Sequence, residues 1–536
     1  MIILQGIGAS EGLAIAEPFY LEKIDLSVTE LDNQNQDVEL KRFQDALVKA
    51  EKQLDELYLK TKEINEESAE VFEVHKMLIR DLDFTEGVEA LIKKGKNAEY
   101  AVDSTALKYQ KLLEAMDNEI MQARSADVLD IRNRLIKILK QIEDVNTVPT
   151  EKFILLSEEL LPSEIVKFDK RQVAGIVSKV GSITSHAAIL ARTLNIPFVV
   201  GLNRFDEIPH FGIIALDGQT GEVIINPDKK KTEYYHKKII EVEKLQKELE
   251  GYRGKKAITK SGKKVIIGAN IGNVQEVDLV IENDADAVGL FRSEFIYLDS
   301  NDYPSENKQF AIYKNVLSKL APKNVIIRTL DIGADKVVDY FKLGKEDNPA
   351  LGYRAIRICL NEPEIFKTQL RALYRASKYG NLSIMFPMIT HIEQVSEIKE
   401  IIKEVKQELD QENIAYDHDI QLGIMIETPA AVMISDKLAG MVDFFSIGTN
   451  DLTQYTLACD RMNSKISMLF NQGHESVLNM IALTAKNAHK AGIWVGICGE
   501  SAGDLSLLDF YLEHNIDELS VSPSKVLRLK KAIIEK

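Results

Sequence analysis

Residues 181–192 read Gly181-Ser182-Ile183-Thr184-Ser185-His186-Ala187-Ala188-Ile189-Leu190-Ala191-Arg192, and they mark the passage from a strand to a helix. Residues 173–180 are mostly apolar and β-leaning, which is typical of a buried strand. After His186, apolar positions recur at helical spacing among good helix formers. Gly181 marks the turn, and the hydroxyl of Thr184 or Ser185 can cap the helix. The stretch therefore predicts an α/β segment with His186 at a helix N-terminus.

That position suits a histidine that carries a phosphoryl group. The unpaired N–H groups and the positive dipole end of a helix stabilise an anion held there. A neutral imidazole is also a plausible nucleophile near neutral pH. The alternative for an isolated histidine is a local role, in which His186 only satisfies hydrogen bonds near the cap.

Composition and net charge limit the classes of protein to which the chain can belong. The chain has 536 residues, 45% of them hydrophobic, which predicts a soluble protein of about three domains. Its net charge of −16 argues against nucleic acid and is compatible with a basic protein partner. No apolar run is long enough for a membrane span, and the three widely spaced cysteines fit reduced thiols. We therefore expect a cytoplasmic protein with no membrane contact.

The domain order follows from changes in periodicity. Strand and helix signals at residues 1–24 and 146–228 predict one α/β domain, into which a helical hairpin bundle at 25–145 is inserted. The charged residues 229–258 predict a linker helix, and residues 259–536 are predicted to form a further domain. Within the bundle, residues 51–100 carry 13 acidic and 8 basic side chains. This surplus indicates either a solvated helix face or a docking surface for a basic carrier protein.

The C-terminal half alternates short apolar runs with helical stretches. Eight βα units in about 270 residues have the size and rhythm of a TIM (β/α)8 barrel. The predicted strands are 265–269, 287–291, 325–328, 383–387, 422–426, 444–447, 493–498 and 518–521.

Polar side chains follow these runs repeatedly. In such barrels chemistry lies at the carboxyl ends of the strands, so the residues there are expected to share one face. One such residue alone is easily explained by a loop salt bridge, but the whole set is not. The set consists of Arg292, Glu294, Arg328, Asp331, Glu427, Asn450, Asp451, Arg461 and Cys498.

The residue types indicate a division of labour. Arg292, Arg328 and Arg461 can grip a phosphate and a carboxylate in bidentate fashion. Glu427 and Asp451 offer hard oxygen ligands that suit one Mg²⁺.

Asn450 and Cys498 add two neutral groups to this set. The Asn450 amide can donate a hydrogen bond to a substrate. Cys498 lies where a thiol could deliver a proton to a carbon centre.

Residues 181–192 resemble the phosphohistidine motif of enzymes that pass phosphate between phosphoenolpyruvate (PEP) and another acceptor. Motifs along the whole chain resemble Enzyme I of the bacterial PEP-dependent sugar phosphotransferase system. They include Gly289-Leu290-Phe291-Arg292-Ser293-Glu294, Arg328-Thr329-Leu330-Asp331-Ile332-Gly333, Asn348-Pro349-x-Leu351-Gly352-x-Arg354, Glu427-Thr428-Pro429-Ala430-Ala431, Asp460-Arg461-x-Asn463 and Cys498-Gly499-Glu500.

The resemblance implies a phosphotransferase with His186 as the phosphoacceptor. It implies PEP bound by the candidate arginines with Asn450 and Asp451, Mg²⁺ on Glu427 and Asp451, and Cys498 as proton donor to the enolate. An HPr-type phosphocarrier protein is the implied partner, and a homodimer through the barrel the implied assembly. The chain departs from the family pattern at three positions near His186, which are Ile165, Ser182 and Ile183.

Two alternatives stand beside this interpretation. A PEP synthase or dikinase would use the same two modules, but it needs an ATP-grasp domain, and the chain has a helical insert and no glycine-rich nucleotide loop. A non-catalytic interaction protein that senses phosphorylation is the other. It would be expected to lose Arg328, Glu427, Asp451 or Cys498, and all four are present.

Overall fold

The computed structural model describes residues 1–21, 25–32, 35–62, 66–115, 125–142, 149–165, 167–183, 185–333, 338–344, 346–461, 463 and 465–536. It divides into two compact units, Met1–Leu245 and Gln246–Lys536. Across the described ranges, no helix is both long enough and apolar enough to cross a membrane.

The first unit is built on one eight-stranded mixed sheet of order β1-β8-β7-β3-β4-β5-β6-β2. The three N-terminal strands pair with strands that follow residue 150, so the helices between them are an insertion, as predicted. The strands are β1 (Ile2–Gln5), β2 (Ile7–Ser10), β3 (Leu13–Tyr20), β4 (Phe153–Ser157), β5 (Val173–Ser178), β6 (Phe198–Val200), β7 (Ile214–Asp217) and β8 (Glu222–Ile225).

The inserted helices pack around their own apolar core, which includes Phe43, Leu54, Phe72, Val88 and Leu135. Each of these side chains comes from an apolar stripe at helical spacing, which explains why the segment folds as a bundle. The described helices are α1 (Gln36–Lys62), α2 (Glu66–Ile79), α3 (Leu82–Lys93), α4 (Ala98–Glu114) and α5 (Ser125–Leu139).

Three further helices belong to the flanks of the insertion. They are α6 (Pro162–Ile165), α7 (His186–Thr193) and α8 (Lys229–Glu250). Helix α8 corresponds to the charged segment predicted from residue 229. Its one buried side chain is Tyr235, as expected for a helix that is polar nearly all round.

The second unit is a closed barrel of eight parallel strands, and the prediction of a TIM barrel is confirmed. Each predicted strand is present within a few residues of its expected bounds. The strands are β9 (Ile266–Ile271), β10 (Ala287–Arg292), β11 (Asn324–Arg328), β12 (Asn381–Phe386), β13 (Gln421–Ile426), β14 (Phe444–Ile447), β15 (Trp494–Ile497) and β16 (Glu518–Val521).

Helices follow the strands and cover the barrel with their apolar faces. They are α9 (Glu276–Glu282), α10 (Glu294–Leu298), α11 (Glu306–Leu320), α12 (Ile356–Asn361), α13 (Pro363–Ala376), α14 (Ile392–Gln411), α15 (Pro429–Met433), α16 (Ser435–Leu438), α17 (Thr449–Leu457), α18 (Glu475–Ala491), α19 (Leu508–Glu513) and α20 (Val526–Glu535).

The start of β16 carries a carboxyl group, Glu518, that is 3% exposed. Burial, followed by the nearby carboxylates of Asp286 and Asp517, raises the pKa of Glu518 to about 8. Because the folded pKa lies above the ordinary value, the fold favours the neutral acid. The stabilising contribution is complete below pH 4.5 and is lost as the pH rises toward 8.

The difference in the free energy of unfolding between Glu518→Gln and the wild type should therefore shift in favour of the variant on going from pH 5 to pH 8.5. We expect a shift of roughly 1–3 kcal/mol. Differential scanning calorimetry of the full chain at both pH values measures the difference in Tm. The exposed Glu513→Gln is the matched control on α19. A Tm difference for Glu518→Gln that is the same at both pH values would contradict the assignment.

Candidate functional site

Helix α7 begins at His186, as the sequence predicts. Ser185 is the N-cap, and its Oγ accepts the backbone N–H of Ala188 at 3.2 Å. Gly181 has φ +141°, a backbone conformation that residues with a side chain rarely adopt, which explains a glycine at this turn. Thr184 and the side chain of His186 lie outside the described part of the chain.

Arg192, the last residue of the segment 181–192, stabilises the turn before helix α7 through hydrogen bonds. Its Nη1 donates to the carbonyl oxygens of Ile183 at 2.9 Å and of Ala9 at 2.8 Å. One guanidinium thus ties the residue three positions before His186 to strand β2. The arginine of this motif has a structural role that its sequence position alone does not reveal.

The side of α7 that faces the protein core packs near the short helix α6. Ile165 is 3% exposed in a core that also contains Ala187 and Leu190. Ile165, one of the departures from the family pattern, therefore supplies apolar contact to this core. On the same helix, Ser163 Oγ donates to Asp130 Oδ1 at 2.9 Å, which joins α6 to the bundle helix α5.

In the barrel, four charged groups form a chain at the carboxyl end of the strands. Arg328 at the end of β11 places Nη2 2.6 Å from Glu294 Oε1 and 2.9 Å from Asp331 Oδ2. Arg354 Nη2 lies 3.0 Å from Asp331 Oδ1. All four side chains are at most 9% exposed. Buried charges persist in proteins when they are paired in this way.

The charge of Arg328 is fixed by these neighbours. Burial alone lowers its pKa, but the carboxylates of Asp331, Glu294 and Glu427 together raise it above the ordinary value. The same balance raises the pKa of Arg354, with Asp331 as the main charge partner. This chain of four charged groups therefore contains two permanent cations, of which only Arg328 was singled out from the sequence.

Arg354 was missed although it stands inside a quoted motif. Its partner Asp331 is 23 residues away, and the contact depends on the loop before α12. The one signal in the sequence was that a second arginine, Arg354, follows strand β11 and Asp331.

Arg292 ends strand β10 beside this chain of charges. Its guanidinium carbon lies 5.1 Å from the centre of the Phe295 ring, a cation–π contact. Among the described residues its buried Nε has no hydrogen-bond partner. Arg292 is thus held by an aromatic face and retains donors for an anion.

Glu427 and Asp451 supply the carboxylates expected to hold a metal ion. Glu427 Oε1 accepts the backbone N–H of Met388 at 2.6 Å. Burial, followed by the carboxylates of Asp451 and Asp331, raises the pKa of Glu427. The Asp451 carboxylate disfavours the charge of Glu427, and a divalent cation would offset that repulsion.

No group of three or more His, Cys, Asp or Glu side chains converges as metal ligands among the described residues. Mg²⁺ commonly needs only one or two carboxylates, because waters and substrate oxygens complete its octahedron. The pair therefore fits Mg²⁺ better than a metal held wholly by protein ligands.

Asn450 lies in the first turn of helix α17 and is fixed by two neighbours. Its Nδ2 donates to Glu500 Oε1 at 3.1 Å, and its Oδ1 accepts from Gln472 Nε2 at 2.7 Å. Arg461 lies on the exposed segment after α17. Within the described chain, the one hydrogen bond of Arg461 runs from its backbone N–H to Gln454 Oε1, at 3.3 Å.

Cys498 follows strand β15 and is 5% exposed. Its Sγ lies 3.7 Å from the carbonyl oxygen of Ile447. Burial raises the pKa of the thiol to about 12, although the Ser446 hydroxyl and Arg328 act in the opposite direction. The sulfur therefore keeps its proton at neutral pH, as a proton donor must.

Comparison with known proteins covers nearly the whole chain. The PEP-binding domain of PEP-utilising enzymes matches residues 246–536, their N-terminal domain residues 5–124, and their mobile domain residues 149–221. The phosphoenolpyruvate-protein phosphotransferase of Priestia megaterium is 39% identical over 534 residues, which are 99% of this chain and 93% of that protein.

The phosphoenolpyruvate-protein phosphotransferase of Bacillus subtilis strain 168 is 40% identical over 528 residues, 98% of this chain and 93% of that protein. A solution structure of an Enzyme I protein is 32% identical with a TM-score of 0.39. It covers 45% of this chain and 99% of its own.

Proposed function

The chain belongs to the phosphoenolpyruvate-protein phosphotransferase family of PEP-utilising enzymes, and from that membership we propose which of its residues carry the reaction. The protein is an enzyme that transfers the phosphoryl group of PEP to a protein acceptor and releases pyruvate. The observation that supports the assignment of residues is the cluster of buried cations and carboxylates at one end of the barrel.

PEP binds at this barrel mouth. Arg292 and Arg328 grip its phosphate and carboxylate, with Arg461 joining them from the exposed segment after α17. Asn450 donates a neutral hydrogen bond to the substrate, and its partners Glu500 and Gln472 hold the amide in place. Arg354 acts as a positioning residue, since it reaches the site through Asp331.

Glu427 and Asp451 would hold Mg²⁺. When bound, the ion would supply positive charge to offset that of the transferring phosphoryl group, which is the main requirement for catalysis of phosphoryl transfer. Burial and the neighbouring carboxylates of Asp451 and Asp331 raise the pKa of Glu427, which supports the assignment of a cation to this pair.

The transfer breaks the bond between phosphorus and the enol oxygen of PEP and forms a bond between phosphorus and a ring nitrogen of His186. The helix N-terminus at His186 stabilises the negative charge of the new phosphoryl group. The bond electrons remain on the enol oxygen, leaving the enolate of pyruvate. Cys498 gives its proton to the terminal carbon of that enolate, which yields pyruvate.

Phosphohistidine then passes its phosphoryl group to a histidine of an HPr-type carrier. The carrier docks on the inserted bundle, residues 25–145. In α2 and α3, Met77 and Leu82 are 69% and 72% exposed, and the exposed carboxylates of Asp83 and Glu86 follow them in sequence. Exposed apolar side chains rimmed by charge are typical of a protein-binding surface.

The remaining assignments concern the domains, the linker and the oligomeric state. Residues 1–24 with 146–228 form the phosphohistidine domain, 229–258 the linker, and 259–536 the PEP-binding domain. Because one imidazole serves PEP and the carrier in turn, the linker has to permit domain motion. The enzyme works in the cytoplasm as a homodimer formed through its barrel.

Incubation of the full chain with PEP labelled in its phosphate tests the proposal. With Mg²⁺ present, label should appear on the protein, survive base and be lost in acid, as a phosphohistidine requires. Peptide mapping should place it at His186. ATP-dependent phosphorylation of pyruvate would instead support the dikinase alternative.

Cys498→Ala should lower the rate of pyruvate formation roughly 10²- to 10⁴-fold, because the enolate loses its proton donor. The affinity for PEP should change little, since the thiol contacts neither charged end of the substrate in this scheme. Steady-state assays of pyruvate release, with calorimetric titration of PEP, separate the two quantities.

Cys459→Ala is the control for Cys498→Ala. Cys459 is also buried, and its Sγ contacts the carbonyl oxygen of Ile466 at 3.2 Å instead of the barrel mouth. Wild-type pyruvate formation by Cys498→Ala would remove the thiol from the acid role.

A further inference from the structure

A cavity opens between the segments that follow the last two barrel strands. It has a volume of about 290 Å³. One wall is the segment after β15, with Gly503, Asp504 and Ser506, and the other is the segment after β16, with Lys525, Arg528 and Leu529. We refer to it as the β15–β16 cavity. It differs in its residues from the barrel-mouth cluster of Arg292, Arg328 and Glu427.

Two cations line this cavity. Lys525 ends a short 3₁₀ turn, and Arg528 lies three residues later in the first turn of α20. Side chains at this spacing share one face of a helix. Both are exposed, and within the described residues neither has a salt bridge.

Their lack of carboxylate partners distinguishes them from their neighbours. On the same helix, Lys530 pairs with Asp284 and Lys531 with Glu248. The whole chain has a net charge of −16, so acidic partners are abundant elsewhere. Two like charges on one helical turn repel each other, and a bound anion would remove that repulsion.

The opposite wall lies close to the Lys525 side chain at Gly503. A methyl group on Gly503 would lie 3.2 Å from Lys525 Cδ and 3.8 Å from its Nζ. Among the described residues that line the cavity, Asp504 is the one acidic residue. Its Oδ1 accepts both the N–H of Ser506 at 2.9 Å and the hydroxyl of Ser506 at 2.7 Å. The N-terminal end of α20 adds a positive dipole to the two cations.

We propose that the β15–β16 cavity binds a small phosphomonoester, separately from PEP. Its phosphate would contact Lys525 and Arg528, and a hydroxyl of the same ligand would contact Asp504. Parallel (β/α)8 barrels frequently bind phosphate between the loops after their seventh and eighth strands, at the start of a short helix. β15 and β16 are the seventh and eighth strands of this barrel. The proposed PEP site instead uses residues that follow the second, third, fifth, sixth and seventh strands.

Calorimetric titration of the full chain with glycerol 2-phosphate, at constant ionic strength, tests the proposal. The wild type should show a site that Lys525→Gln/Arg528→Gln weakens at least tenfold, while pyruvate formation from PEP in the absence of added ligand stays unchanged. Lys486→Gln/Lys490→Gln removes the same charge from α18, where both lysines are exposed, and should leave the titration unaltered. If the double variant fails to fold, Lys525→Gln alone gives the same comparison.

Separate titrations with inorganic phosphate and with Asp504→Asn identify the ligand source. Tighter binding of glycerol 2-phosphate than of phosphate, reduced by Asp504→Asn, supports a phosphomonoester, and equal binding overturns that part of the proposal. Crystals of the full chain soaked in tungstate provide a direct readout. An anomalous peak between Lys525 and Arg528 supports the site.

The PEP site can also bind these anions, and Arg328→Gln distinguishes the two sites. Binding that is lost in Arg328→Gln and unchanged in Lys525→Gln/Arg528→Gln would overturn the β15–β16 cavity while supporting the proposed function. Binding that is lost only in the Lys525 and Arg528 variants would support the β15–β16 cavity, whether or not the proposed PEP site is correct.

Discussion

His186→Gln should abolish phosphoryl transfer, with a fall of at least about 10⁴-fold in labelling of the protein by PEP. Glutamine has a similar size and can begin helix α7, but its amide cannot accept a phosphoryl group. The barrel unit keeps every residue assigned to PEP. The dissociation constant of PEP should therefore stay within about twofold of the wild-type value.

Two measurements on the same preparations separate these effects. Quenched incubation with labelled PEP gives the labelling, and calorimetric titration of PEP with Mg²⁺ gives the affinity. The control is His236→Gln, which changes an exposed histidine on α8 and should label normally. Loss of PEP affinity in His186→Gln would contradict a modular enzyme, and normal labelling would contradict His186 as the acceptor.

The barrel was predictable because its strands are short apolar runs at regular intervals, and the structure confirms this. Residues 444–447 and 518–521 were predicted with the observed bounds. A strand buried on both faces leaves a continuous apolar signal. The same logic predicted the inserted bundle, whose helices each contribute an apolar stripe to one core.

The first residues assigned to the bundle precede its first helix. The helical pattern begins at about residue 25 and α1 begins at Gln36, while Leu26 and Val28 already pack against the bundle core. Asp25 Oδ1 accepts the N–H of Ser27 at 2.9 Å. Short polar side chains that bond their own backbone favour a turn over a helix. Periodicity does not register this competition, so it does not give the residue at which the first helix begins.

The candidate site was predictable in outline from where polar residues follow strands. What sequence could not supply was pairing across the barrel mouth. Arg328 contacts Glu294 and Asp331 at once, and Asp331 in turn contacts Arg354. These contacts depend on side-chain direction and loop conformation. Ala355 beside Arg354 has a positive φ of 53°, which no pattern of residue types reveals.

Arg328→Gln should have the second large effect, because it removes a buried cation that neutralises two buried carboxylates. Glu294 and Asp331 would lie close together without that charge. Removing one partner of a buried ion pair costs about 3–5 kcal/mol. PEP would also lose a phosphate-binding guanidinium, so we expect labelling to fall roughly 10³-fold or more.

The loss of stability expected for Arg328→Gln can be measured on the barrel unit alone. Trp494 is the one tryptophan of the chain, and it stacks on Phe444 at 4.5 Å inside the barrel. Its fluorescence in a denaturant titration therefore reports unfolding of the second unit. Arg375→Gln is the control, since it removes a more exposed pair with Glu306 and should cost about 1 kcal/mol or less.

Arg328→Lys separates charge from geometry. Lysine keeps a cation beside Glu294 and Asp331, so most of the stability should return. It lacks the planar fork that grips a phosphate in bidentate fashion, so PEP affinity should stay low. If the glutamine variant unfolded at the wild-type denaturant concentration, the carboxylates would not depend on Arg328. If the lysine variant restored PEP binding in full, the site would need only a positive charge, and the bidentate role assigned to Arg328 would be wrong.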